Sequence, residues 1–134
     1  EGTESYYSMI NAERQIEYWR SGSAEDLETA EILINNKKIR YGLFFCHLVI
    51  EKILKALIVK KTNDFAQKTH NLFRLSEQAE INYSEEQEVF LGILMRYQIQ
   101  GRYPDYNPDI PSLDTACVYL NKTRELLSWL EANL

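Results

Sequence analysis

RYGLFFCHLVIEKILKALIVKK, Arg40 to Lys61, is the stretch that decides the fold. At about 100° per residue, Arg40, Phe44, His47, Glu51 and Lys55 fall within a sector of about 80°. Leu43, Phe45, Leu48, Val49, Ile50, Ile53, Leu54, Leu57 and Ile58 cover the rest of the circumference. A helix apolar over most of its surface belongs in the middle of a bundle. Its polar stripe must then meet a cleft, a partner subunit or compensating charges, because polar groups left unpaired in a core are costly.

The segments on either side read as helices that cover this one. From Ile10 to about Asn36, Ile16, Trp19, Leu27, Ala30, Leu33 and Ile34 recur mainly at spacings of three, four and seven, apart from a gap at Ser21-Gly22-Ser23. The reading is one long helix, with a kink or break at Gly22 as the alternative, since glycine is costly in a helix interior and Ser23 with Asp26 can cap a second start. Asn35-Asn36-Lys37-Lys38 closes it with a short polar turn, so the central helix runs back antiparallel. Residues 1–9 are read as an N-terminal arm or a cloning remnant, and 10–134 as a single helical domain.

Beyond Lys61, Thr69 is the expected N-cap of a shorter helix with Leu72, Leu75 and Ala79 inward. Ser84-Glu85-Glu86-Gln87 is a capping box for a fourth helix with Phe90, Leu91, Ile93, Leu94 and Tyr97 buried, ending at Gly101. RYPDYNPDIP, Arg102 to Pro111, holds all three prolines and breaks the pattern. A last helix starts at Ser112 or Leu113 and runs to about Asn133, offering Ala116, Val118, Tyr119, Leu126, Leu127 and Leu130 to the core. The fold class is all-α, an antiparallel up-and-down four-helix bundle with one additional short helix.

Composition narrows the function classes. With 45% hydrophobic and 26% charged residues the chain has a globular profile, and its net charge of -5 argues against a dedicated duplex nucleic-acid binder. Cys46 and Cys117 form no CxxC or His/Cys cluster, so no metal and no cofactor are expected, and a reducing, cytoplasmic setting is the simpler reading. No run is apolar enough for a membrane span, and no P-loop, GxSxG or HExxH is present.

The opening SAEDLETAEILI, the central RYGLFFCHLVIEKILKALIVKK, then KTHNLFRL and RYQIQGRYPDY, in this order, resemble the HEPN domain family across nearly the whole chain. The resemblance implies an all-α bundle, frequently a homodimer. It also implies a minimal nucleotidyltransferase as partner in a toxin-antitoxin pair. Many members are metal-independent ribonucleases whose arginine is followed, after four to six residues, by a histidine late in the chain. Here no histidine follows His70.

Four groups of residues are candidates. Arg96, Tyr97, Arg102, Tyr103, Asp105 and Tyr106 can hold a nucleotide or RNA segment, guanidinium groups on phosphate and tyrosines on bases. The alternative is a loop packed on the bundle edge with its arginines paired to Asp105 and Asp109. Arg40 and His47 have the family's spacing on the wrong helix, as a catalytic pair or, with Glu51 and Lys55, as a polar seam or interface. His70 is either a further site or a packed capping residue.

Overall fold

The structure, a computed structural model, describes the backbone of residues 2–98 and 109–134, and the side chains of 11–98 and 109–134. Five helices follow one another: α1 (Gly2–Asn35), α2 (Ile39–Thr62), α3 (Leu72–Gln78), α4 (Glu85–Met95) and α5 (Leu113–Glu131). The described residues contain no strand. α2 touches each of the other four, and α1 lies along it as its most extensive neighbour. Leu43, Cys46, Val49, Ile50, Ile53, Leu54, Ala56 and Ile58 are fully buried, which is the consequence of an apolar pattern that leaves α2 no solvent face.

The α1–α2 hairpin is built by local chemistry. Lys38 N–H reaches back to Leu33 O (2.8 Å) and Lys37 N–H to Ile34 O (2.9 Å), the paired bonds of a Schellman ending, with Lys37 in the left-handed region at φ 64°. α2 starts at once at Ile39. Close approach of the two helices needs Gly42, because a Cβ there would overlap Ile34 Cγ1.

α1 runs unbroken through Gly22, the single long helix read from the sequence. A Cβ on Gly22 would come within 3.1 Å of Lys52 Cδ, so the absent side chain makes room for α2. Ser23 does not cap a second helix; its hydroxyl donates to Val49 O across the interface at 2.8 Å. Asp26 pairs with Lys52 at 2.7 Å. Tertiary partners thus outweigh the propensity cost of about 1 kcal/mol for glycine in a helix.

Other boundaries shift by small amounts. The N-cap of α3 is Asn71, whose Oδ1 accepts from Phe73 and Arg74 N–H, while Thr69 Oγ1 supports the turn by accepting from Asn71 N–H at 3.1 Å. The Ser84–Gln87 capping box of α4 forms as expected. That helix ends at Met95 with Arg96 as C-cap, and Gly101 lies outside the described residues. On α5, Val118 is exposed, since the buried face runs through Ala116, Leu120, Thr123, Leu127 and Leu130. Among the described residues no helix is long and apolar enough to cross a membrane.

Candidate functional site

The polar stripe of α2 folds into a closed cluster around one carboxylate. His47 is fully buried, and Glu51 and Lys55 are nearly so. Their four-residue spacing stacks the three on one face of the helix. Lys55 Nζ donates to Glu51 Oε2 at 3.1 Å and lies 5.0 Å from the centroid of the Trp19 ring on α1. The ammonium therefore has an anion on one side and an aromatic face on the other, which compensates its burial.

The other carboxylate oxygen serves His70. Glu51 Oε1 accepts from His70 Nδ1–H at 2.9 Å, although the two residues are 19 positions apart in sequence. The carbonyl of His70 accepts from His47 Nε2–H at 2.9 Å. Because a carbonyl and a carboxylate can only accept, these bonds fix both tautomers: His47 carries its proton on Nε2 and His70 on Nδ1. The His70 side chain is 69% exposed, so its other nitrogen, Nε2, sits on the solvent side of the ring.

His47 occupies an awkward position. Its Nδ1 has no hydrogen-bond partner and lies 3.7 Å from Glu51 Oε1, lone pair toward lone pair in the neutral ring. Burial is the larger influence and holds its pKa below the ordinary histidine value, against the upward pull of the Glu51 charge and of the hydrogen bond to His70. Arg40 lies on the first turn of α2, its guanidinium 5.1 Å over the Tyr41 ring and donating to Tyr41 Oη at 3.2 Å. Seven residues of helix put Arg40 and His47 about 10 Å apart along the axis.

The turn that holds His70 also meets the end of α4. Leu72 N–H donates to Met95 Sδ at 3.3 Å, and Arg96, exposed, is the next residue. Tyr97 turns inward, 3% exposed, with its hydroxyl donating to Asp109 O at 3.3 Å. Arg102, Tyr103, Asp105 and Tyr106 lie outside the described residues. The structure thus brings together His70, Glu51, His47 and Lys55, and joins Met95, at the end of α4, to Leu72, two residues after His70. The Glu51–His70 pair was missed in the sequence because no periodicity links a helix to a loop 19 residues later.

Among the described residues no group of three or more His, Cys, Asp and Glu side chains can hold a metal ion. A concavity lies between the first turns of α4 and α5, lined by Glu86, Phe90, Lys122, Glu125, Leu126 and Trp129.

Comparison with known proteins places these features in a family. The HEPN domain family model matches residues 16–133. The crystal structure of TT1696 from Thermus thermophilus aligns with a TM-score of 0.76 at 20% identity, over 90% of this chain and 98% of that one. ST0689, an archaeal HEPN homologue, aligns with a TM-score of 0.69 at 19% identity, over 87% and 95%. At these identities the structural likeness speaks for the fold. No curated protein gives a significant match.

Proposed function

The chain belongs to the HEPN domain family, and from that premise we propose that it binds a nucleotide or an RNA segment where the end of α4 meets the turn before α3. The observation that supports this reading is the Leu72–Met95 contact, which joins the last residue of α4, just before exposed Arg96, to the first residue of α3, two positions after exposed His70. Arg96, Arg102, Tyr103, Asp105 and Tyr106 are the binding residues of this reading; Tyr97, whose ring is buried and whose hydroxyl donates to Asp109 O, offers no stacking surface. Arginine forks suit phosphate oxygens, and tyrosine rings give stacking surfaces that do not depend on base identity.

Arg96→Ala tests it. Because Arg96 is exposed and follows the last residue of its helix, the variant keeps its fold. The expected result is a loss of affinity of about tenfold for a short oligouridylate or a nucleoside monophosphate, one charge-assisted contact's worth. Unchanged affinity would remove Arg96 from the site. In the same reading the module works with a minimal nucleotidyltransferase and is the toxin half of the pair. Co-expression should yield a stable complex, and its absence would strike out the partner.

A second reading, self-association, is favoured by one feature of α4. Val89 is 61% exposed, and Gly92, one turn later on the same face, has no atom of the described residues beyond its own helix backbone within 4 Å of where a Cβ would stand. A mid-helix glycine uncrowded by the described residues fits close approach by a second copy. Sedimentation of the wild type against Gly92→Leu should show a dimer that the leucine weakens; a monomer in both would dismiss this face.

A further inference from the structure

Glu51 is the point in this fold where the local rules are least comfortable. Its carboxylate is 5% exposed, and the chain surrounds it with Lys55, His70 and a histidine whose Nδ1 finds no donor. Apolar residues of similar size would often fill such a space at least as stably, so a buried ion cluster points to a role for what it holds. What it holds is an exposed ring. The carboxylate grips His70 by Nδ1, the His47 ring grips its backbone carbonyl, and both bonds leave Nε2 outward.

We infer that His70 is a phosphodiester-binding residue, contacting an RNA phosphate oxygen through Nε2–H in its imidazolium form, with Glu51 as its positioning residue. The inference rests on the binding reading above and supplies its pH dependence. An imidazolium between a fixed carboxylate and a phosphate oxygen is a cation between two anions, and both hydrogen bonds are charge-assisted. Neutral His70, held by Glu51 as the Nδ1–H tautomer, presents a lone pair to the same phosphate and repels it.

The other charged groups around the ring set the background. From α2 these are Glu51, Lys55 on its second oxygen, and buried His47, which burial keeps toward the neutral form. Lys68 lies two residues before His70 in the same loop, Arg74 is on α3 and Arg96 follows α4, and all three are exposed. The lysines and arginines stay charged across the neutral range, so they add affinity without a pH step there.

His70→Asn separates ligand contact from structural pinning. An asparagine amide falls near the position of Nδ1 and can still donate to Glu51, whereas nothing replaces Nε2. Oligouridylate is the probe, since uracil and the phosphodiester do not titrate over the range used. Wild-type affinity, measured by fluorescence anisotropy from about pH 8 to about pH 5.5, should rise about tenfold, as one charge-assisted bond is gained. The asparagine variant should keep the wild-type melting temperature and lose the rise, and Arg74→Ala should keep the rise. An equal rise in His70→Asn overturns the inference and leaves the binding reading standing. Failure of the wild type to bind oligouridylate at any pH overturns both.

Discussion

His70, a side chain 69% exposed, is held at 2.9 Å by Glu51, a side chain 5% exposed. One end of this bond is solvated and the other is core. The helix-to-loop bond therefore ties the surface of the bundle to a charge network inside it. Each consequence below can be measured.

Breaking the network from its centre should be expensive. Glu51→Gln leaves Lys55, 7% exposed, without its anion, and removing one partner of a buried pair costs about 3–5 kcal/mol. The double replacement Glu51→Met, Lys55→Met removes both charges and should recover most of that loss in urea unfolding. If the double variant were as unstable as the single one, the Glu51–Lys55 pair would not be the main contribution of this carboxylate.

Acid should weaken the fold through His47. Its folded pKa is lowered by burial, so the unfolded chain takes up the proton first. The contribution is fully present above the unfolded value of about 6.5 and is lost as pH falls from there toward the lower folded value. His47→Gln keeps a donor for the His70 carbonyl and cannot titrate. Its denaturation midpoint should fall less than that of the wild type between about pH 7 and about pH 5. Parallel curves would assign the acid sensitivity to other groups.

Two glycine-to-alanine changes should act in opposite directions. Gly42→Ala drives a methyl into Ile34 and should cost about 1–3 kcal/mol, partly regained when Ile34 is shortened to valine. Gly92→Ala meets no atom of the described residues beyond its own helix backbone and should stabilise α4 by up to about 1 kcal/mol. Thermal unfolding of both reads the signs directly.

The two thiols should differ in reactivity. Cys46 is fully buried and burial raises its pKa to about 11, whereas Cys117 is only partly buried. One thiol per native chain should react with a disulfide reagent near neutral pH, and two after unfolding. Fast reaction of both in the native state would contradict the packing around Cys46.

Much of this was legible in the sequence, for reasons that differ by element. α2 announced itself because only a central helix is apolar on so many sides, and the Ser84–Gln87 box marks α4 through chemistry confined to four residues. Gly22 left a break in α1 open because its cost is local while its reason, room for Lys52, lies on another helix. Val118 misled because a valine on α5 looks like core until the register through Leu120 and Thr123 is known. Of the candidate site, the stripe His47, Glu51 and Lys55 was visible as spacing. That its carboxylate holds His70 was not, because that bond joins a helix to a loop and leaves no pattern in the chain.

The central claim is that a phosphate-bearing ligand meets the molecule where the end of α4 adjoins the His70 turn. A two-dimensional amide NMR titration with a short oligouridylate tests it most directly. The account predicts shifts concentrated at His70, Arg74, Arg96, Tyr97 and the residues from Arg102 to Tyr106, with Trp129 and its neighbours on α5 unmoved. Resonances of His70, Arg96 and Arg102 that stay fixed, or shifts centred on the Phe90–Trp129 groove, would contradict it.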